Sequence, residues 1–174
     1  MSVPRVVAAS FLSLLLACAA PRPPAIDAAA VERVVRDFAG ALDANRLDVA
    51  AGLFEPGARW ANVAAPVAID SMLADFRRWQ SIGLRSEMRL RDFVVDGEGD
   101  VAWTSWMNDW TATAASEAAK ALVRTYAGAG MGTIDSSRSE WRHTATFFES
   151  AVLRRRGGTW RMVFGHTTSV AGGQ

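Results

Sequence analysis

Asp109 is the side chain whose neighbours most favour acid–base chemistry. It lies in the segment WMNDW (106–110), in the middle of a predicted strand. Apolar surroundings disfavour the ionised carboxylate and raise its pKa toward the range of a general acid. The alternative is an outward-facing aspartate that is solvated or paired with one of the many arginines, an arrangement that also perturbs pKa values. The sequence leaves both interpretations open.

His166 is the second candidate for proton transfer. It follows Trp160, Met162 and Phe164 at a spacing of two, which predicts that all four side chains face one side of a strand. An imidazole at the rim of a cavity titrates near neutral pH, whereas a buried one is satisfied by a neighbouring strand. His143 begins a predicted strand and is expected at the surface. Neither histidine lies in an H-E-x-x-H or H-x-x-E-H pattern, so no metal site is predicted.

Seven tryptophans are a large number for one small domain, and they need an explanation. They are Trp60, Trp79, Trp103, Trp106, Trp110, Trp141 and Trp160. Tryptophan combines a large apolar surface with an N–H group that seeks a partner, which suits the wall of a pocket. One interpretation is therefore an aromatic pocket for an apolar or planar ligand. The other is a core that is supplemented by a dimer contact on a sheet face.

The first half of the chain is predicted to be helical. Asp27 is the expected N-cap of a helix that continues to residue 44, with apolar residues at helical spacing. A short second helix is expected over 48–54. A third is capped by Asp70 or Ser71 and ends at Gly83.

From residue 84 the hydrophobic period changes from 3.6 to 2, which predicts strands. The expected strands are 58–62, 84–95, 101–113, 139–156 and 160–170, with a hairpin turn at Gly157-Gly158. The last four form an antiparallel meander, and the fold class is therefore α+β. Residues 114–138 interrupt the meander as an insertion, which is either a pocket lid or a surface excursion.

The composition sets limits on the function. The chain has 174 residues, 50% of them hydrophobic and 21% charged, which fits a single globular domain. Nineteen Lys and Arg residues stand against eighteen Asp and Glu residues. This balance argues against a strongly basic nucleic-acid-binding protein, and no nucleic-acid partner is expected.

The start of the chain reads as an export signal. Arg5 precedes a short apolar run that is too short for a mature membrane span. Residues 15–18, LLAC, resemble the lipobox of bacterial lipoproteins, which implies a signal peptide over 1–17 and lipid on Cys18. The alternative is ordinary secretion with cleavage after Ala20. Residues 18–25 form a proline-rich tether. Because Ala19 follows the cysteine, the resemblance favours the outer membrane, on its periplasmic face, over the inner membrane.

Two segments of the remaining domain, 26–174, are similar to a known family. VVRDFAGALDANRLDVAAGLF followed by ARWAN resembles the opening of SnoaL-like and ketosteroid isomerase-like domains of the nuclear transport factor 2-like superfamily. LRRRGGTWRMVFGHTTS resembles their final hairpin. The resemblance implies a cone formed by a curved, mostly antiparallel sheet that three N-terminal helices wrap, with a pocket at the open end and frequent dimerisation through the sheet face.

The resemblance also argues against one activity. The tyrosine with which ketosteroid isomerases donate a hydrogen bond aligns with Phe38, and their proton-shuttling aspartate aligns with Asn62. A phenyl ring has no hydroxyl group, and an amide cannot accept and return a proton near neutral pH. Steroid-type isomerisation is therefore not expected.

Three functions remain, and a fold of this kind does not choose between them. The favoured one is a non-catalytic ligand-binding or accessory lipoprotein of the envelope, without a cofactor, whose small apolar pocket takes an apolar or aromatic ligand. Its predicted ligand-binding residues are Phe38, Trp60, Asn62, Trp79, Trp103 and Phe164. The second is a cofactor-independent isomerase, cyclase or hydratase of the SnoaL type that uses Asp109 or His166. The third is a homodimeric interaction module.

Overall fold

A computed structural model describes residues 25–62 and 65–170 of the chain. Three predictions fall outside these residues: the signal peptide, lipidation of Cys18 and nearly all of the tether. The described part contains four helices and seven strands. Among its helices, none has the length and apolar character that a membrane span requires.

The helices largely follow the sequence prediction. They are α1 (Ala28–Asp43), α2 (Leu47–Gly52), α3 (Ile69–Ser81) and α4 (Glu117–Gly128). Asp27 is the N-cap of α1, and its carboxylate accepts a hydrogen bond from the N–H of Ala30 at 3.0 Å. The third helix begins slightly earlier than predicted, at Ile69, after an Ala68 that makes no side-chain capping bond.

The strands form one mixed sheet. They are β1 (Phe54–Asn62), β2 (Ala65–Ala68), β3 (Leu84–Glu98), β4 (Val101–Ala114), β5 (Thr133–Asp135), β6 (Trp141–Arg156) and β7 (Thr159–Ser169). Their order is β2-β1-β7-β6-β4-β3, and β5 also pairs with β6. The predicted antiparallel meander of β3, β4, β6 and β7 is confirmed. Strand β1 joins it in parallel with β7, so the first strand and the last are neighbours.

The sheet has an inner face that packs on the helices and an outer face. On β4 the even-numbered residues from Ala102 to Ala114 are all buried, whereas the odd-numbered ones are partly or fully exposed. The main core joins the inner face to α1, α2 and α3 through Val35, Leu42, Leu73 and Trp106, among others. A smaller cluster lies under α4. The arrangement is the α+β fold with helices against a curved sheet that the sequence predicted.

A β-bulge in β7 reverses the alternation of its side chains. Leu153 of β6 pairs with Met162, but Val152 pairs with Phe164, so Val163 is an extra residue. Trp160 and Met162 are therefore buried before the bulge, whereas Phe164 and His166 point outward after it. The prediction that these four side chains share one face is wrong for this reason.

Strand β3 contains a second bulge. Its pairing with β4 shifts between Arg91 and Val94, and Asp92 there has a φ of 56°. Phe93 then faces inward and stacks on Trp106, with ring centroids 5.8 Å apart. Both bulges lie in long strands, where they bend the sheet around the helices.

A glycine is required where β7 passes under the ring of Trp60. A Cβ atom at Gly165 would lie 2.2 Å from Cε3 of Trp60, far inside van der Waals contact. Trp60 is almost fully buried, so its ring cannot move aside without disturbing the core.

We therefore expect Gly165→Ala to lower the free energy of unfolding by at least about 1–3 kcal/mol, the usual range for overpacking. Gly40→Ala is the matched control, because Gly40 lies in α1 with nothing within 4 Å of a Cβ atom. That control should be neutral or stabilising by up to about 1 kcal/mol. Urea unfolding of both variants measures the two values. Equal effects at the two positions would contradict the packing argument.

Candidate ligand-binding site

A cavity of about 320 Å³ lies between the helices and the inner face of the sheet. Eight aromatic rings contribute to its lining: Phe38, Trp60, Phe76, Trp79, Trp106, Trp110, Tyr126 and Phe147. Of the predicted ligand-binding residues, Phe38, Trp60, Asn62 and Trp79 are among the lining residues. The volume and the apolar character are those of a small-molecule site.

The rings hold one another in place. Phe38 of α1 lies against Trp60 of β1, with centroids 5.4 Å apart. Trp110 of β4 has Tyr126 at 6.3 Å and Phe147 at 6.1 Å, the former edge to face. Such pairs stabilise by about 0.5–1.5 kcal/mol each beyond their burial, so much of the wall is preformed.

The polar centre of the cavity wall is Glu149 of β6. Trp106 Nε1 donates to its Oε2 at 2.7 Å, while Asn108 Nδ2 and Thr167 Oγ1 each donate to Oε1 at 3.3 Å. Trp60 Nε1 in turn donates to Thr167 Oγ1 at 2.8 Å. Burial raises the pKa of Glu149 to about 7, although the three hydrogen bonds oppose the rise. Glu149 therefore holds a carboxyl group that exchanges its proton near neutral pH.

These polar residues form a row across four strands. In the sheet register Trp106 of β4 pairs with Glu149 of β6, Glu149 pairs with Thr167 of β7, and Thr167 pairs with Asn62 of β1. All four line the cavity. Asn62 therefore lies in the same row as the Glu149 carboxyl group and lines the cavity, as predicted for a ligand-binding residue.

His143 lies deep in the wall, and the expectation that it is on the surface was wrong. It is fully buried, and its Nε2 lies 2.6 Å from the carbonyl oxygen of Met131. A carbonyl oxygen can only accept, so Nε2 carries the proton. Burial lowers the pKa of His143, which keeps the ring neutral and leaves Nδ1 as an acceptor. Nδ1 and Asn108 Oδ1 are buried and have no hydrogen-bond partner among the described residues.

The insertion between β4 and β6 contributes two side chains to the wall of the cavity. Ser116 caps α4 by accepting a hydrogen bond from the N–H of Ala119 at 3.0 Å. Tyr126 and Met131 from this segment line the cavity, and burial raises the pKa of the Tyr126 hydroxyl. Asp75 of α3, which is exposed, is the other carboxylate of the lining. Residues 114–138 thus contain α4 and β5 and form part of the pocket wall, while their role as a lid stays a prediction.

Asp109 lies on the outer face, away from the cavity. Its carboxylate accepts from Arg91 Nε at 2.8 Å and from Thr146 Oγ1 at 3.0 Å. Arg91 holds the pKa of Asp109 below its ordinary value. The strand alternation that buries Trp106, Asn108 and Trp110 necessarily turns Asp109 outward. The acid–base role expected of it is therefore corrected, and the alternative arginine pair is what the structure contains.

Three further predicted site residues also lie outside the cavity. Trp103 is 49% exposed and Phe164 is 37% exposed, both on the outer face. His166 is only half-buried there and lies 3.3 Å from the hydroxyl group of Thr168. Trp103 is an odd-numbered residue of β4 and faces outward, whereas the even-numbered Trp106 faces inward. The bulge at Val163 turns Phe164 and His166 outward.

Sequence reasoning missed Glu149, although a signal for it exists. On β6 the inward positions run Ala145, Phe147, Glu149, Ala151, Leu153, which is one acid in an otherwise apolar series. Such an interruption marks a buried polar group that needs partners. Among the described residues, no group of three His, Cys, Asp or Glu side chains is placed to hold a metal ion.

The raised pKa of Glu149 makes a prediction about stability. An ordinary carboxyl in the unfolded chain ionises near 4.5, but the folded one ionises near 7, so wild-type stability should fall as pH rises between these values. Glu149→Gln removes this titration. The free energy of unfolding of the variant, relative to that of the wild type, should therefore increase by about 3 kcal/mol as pH rises over that interval. Urea unfolding from pH 4 to pH 8 measures this difference.

Asp109→Asn is the control, because its difference from the wild type should stay constant between pH 4 and pH 8 and change only at lower pH. Because the pKa of Asp109 is lowered, its contribution is present above the ordinary pKa and is lost as pH falls. A Glu149→Gln difference that does not change with pH would refute the assignment.

Comparison with known proteins defines the fold. Neither the family models nor the curated proteins give a match to this sequence. Among solved structures, the chain is similar to an NTF2-like protein from Cytophaga hutchinsonii (TM-score 0.60, 14% identity, 83% of this chain and 99% of that one). It is also similar to a proposed dehydratase of the NTF2-like family from Streptomyces avermitilis (TM-score 0.60, 15% identity, 83% of this chain and 97% of that one).

A third similar structure is a proposed scytalone dehydratase from Novosphingobium aromaticivorans (TM-score 0.60, 12% identity, 82% of this chain and 83% of that one). At these identities the likeness concerns architecture, because one fold of this kind hosts many functions. The chain has the NTF2-like, cystatin-like fold.

Proposed function

We propose that this chain binds a small, largely apolar or aromatic molecule in the cavity, without a cofactor. The observation that carries the proposal is the 320 Å³ cavity with its eight aromatic rings and the polar cluster around Glu149 in its wall. Apolar walls supply affinity by removing ligand surface from water, and a few placed polar groups orient the ligand. Preformed walls lower the ordering cost of binding.

A variant that fills the cavity tests this proposal. Ala39 is a buried residue of α1 in the cavity wall, so Ala39→Phe should fill part of the space. The uncharged fluorophore N-phenyl-1-naphthylamine should brighten with the wild-type protein, and Ala39→Phe should weaken its binding at least tenfold. Ala29→Phe, on the exposed side of the same helix, should bind as the wild type does. Equal binding by all three proteins would place the probe elsewhere and defeat the proposal.

A second candidate function is acid–base catalysis at the same cavity. It is supported by a carboxyl group with a pKa of about 7 in the wall, and by the fold shared with proposed dehydratases. Asp109 and His166 lie on the outer face, so Glu149 takes the role once assigned to them. A general acid with this pKa both donates and accepts protons near neutral pH.

Loss of water from a cyclic β-hydroxyketone tests the second candidate. 3-Hydroxy-1-tetralone loses water to form 1-naphthol, whose fluorescence reports the reaction. Under this candidate, wild-type protein accelerates the reaction and Glu149→Gln does not. Equal acceleration by both proteins would exclude a catalytic Glu149.

We also propose that the domain is held in the bacterial envelope by lipid on Cys18, with the periplasmic face of the outer membrane as its location. The support is the LLAC sequence before the proline-rich tether. Labelled palmitate supplied to the producing bacterium should enter the protein but not Cys18→Ser.

We propose that the outer face of the sheet is the interface of a homodimer, because it exposes apolar side chains. Val94, Trp103, Phe148 and Phe164 are exposed there, and Trp103 and Phe164 lie in one row through Val152. An exposed apolar surface of this kind is typical of an interface. Light scattering should give the mass of a dimer, and Trp103→Glu should give that of a monomer.

A further inference from the structure

We propose that the ligand of this cavity is an organic cation: a protonated amine on an apolar or aromatic body. The inference rests on the proposed function, because it names the chemical class of the molecule bound at the same site. Three independent properties of the cavity support it: the sign of its charges, the kind of hydrogen-bonding groups left without a partner, and the aromatic surface around them.

The charges that face the cavity are acidic. Its lining contains two carboxyl groups, Glu149 at the polar centre and Asp75, and neither Lys nor Arg occurs among the described residues that line it. An anionic ligand would bring a second negative charge to a buried carboxylate without a cation to balance it. A cation instead provides the partner that a buried carboxylate needs.

The unpartnered groups in the wall are acceptors. Asn108 Oδ1 and His143 Nδ1 are buried in residues that are 2% and 0% exposed, and within the described part of the chain neither has a hydrogen-bond partner. Leaving such groups unsatisfied is costly, so this part of the wall favours a ligand that brings donors over one that brings further acceptors. An ammonium group has three N–H donors and no acceptor, which complements this set. A carbonyl or ether oxygen would offer only further acceptors.

The aromatic surface suits the same charge. Trp60, Trp106 and Trp110 line the cavity on the strands around Glu149. The faces of aromatic rings attract cations, tryptophan most strongly, and desolvation strengthens the attraction. Rings and a carboxylate can therefore share one ammonium group while the apolar body of the ligand fills the remaining volume.

Protonation of the wall gives the site a pH dependence. The other titratable side chains that line the cavity are Asp75 of α3, Tyr126 of α4 and His143 of β6, the same strand as Glu149. Burial keeps His143 neutral and raises the pKa of Tyr126, so the change near pH 7 belongs to Glu149. An amine should bind roughly tenfold more tightly at pH 8 than at pH 6 as this carboxyl ionises.

Three probes of nearly equal shape test the inference by calorimetry at pH 8: 2-(2-naphthyl)ethylamine, 2-(2-naphthyl)ethanol and the acetate, which is the anion of 2-naphthylacetic acid. The amine is cationic at this pH, the alcohol neutral and the acetate anionic. We expect the amine to bind at least tenfold more tightly than the alcohol, and the acetate to bind most weakly. Ala39→Phe should weaken the amine and the alcohol together, which places both in the cavity.

The variants separate charge from packing. Glu149→Gln should weaken the amine at least tenfold and the alcohol less than threefold. Asp109→Asn removes a carboxylate from the outer face and should change neither. If Glu149→Gln does not fold, as judged by circular dichroism, Asp75→Asn at an exposed position replaces it, with an expected two- to threefold loss for the amine alone.

The outcomes distinguish this inference from the proposed function. Wild-type protein that binds the alcohol as tightly as the amine, or Glu149→Gln that weakens both equally, overturns the cation while leaving a ligand-binding cavity. Binding of N-phenyl-1-naphthylamine without binding of any naphthyl probe also overturns it. If the fluorophore fails to bind as well, the proposed function falls together with the inference.

Discussion

A buried carboxyl group must be given donors, and much of this structure follows from that requirement. Glu149 takes its donors from Trp106 and Asn108 on β4 and from Thr167 on β7, and Thr167 is held by Trp60 on β1. The cost of a lost donor would be high in the interior, so this network fixes the relative register of four strands. The same strands provide the cavity wall, and its shape is therefore tied to the state of one carboxyl group.

The two β-bulges determine which residues reach that wall. Without the extra residue at Val163, Gly165 and Thr167 would face outward, and Glu149 would lose a donor. The bulge in β3 likewise presents Phe93 to the ring of Trp106. The bulges thus bend the sheet and also place side chains at the site, which is a common use of this irregularity near functional residues.

The sequence predicts the elements of this fold well because they depend on local signals. The Asp27 cap, the Gly157-Gly158 turn and the change of period after Gly83 are each visible in a few residues. The site is harder to predict. A bulge leaves little trace in the alternation of side chains, which misplaced Phe164 and His166, and parity alone did not tell which face of β4 is buried. Glu149 interrupts an apolar series on β6, but the donors that make it a site lie on strands remote in sequence.

The close contact between Gly165 and Trp60 links two positions more than a hundred residues apart. A side chain at 165 requires a smaller residue at 60, because the ring now occupies that space. Such an exchange would also remove the N–H donor of Trp60 and enlarge the cavity beside Thr167. In related sequences the two positions should therefore vary together, and the pair found in each should report the width of its binding site.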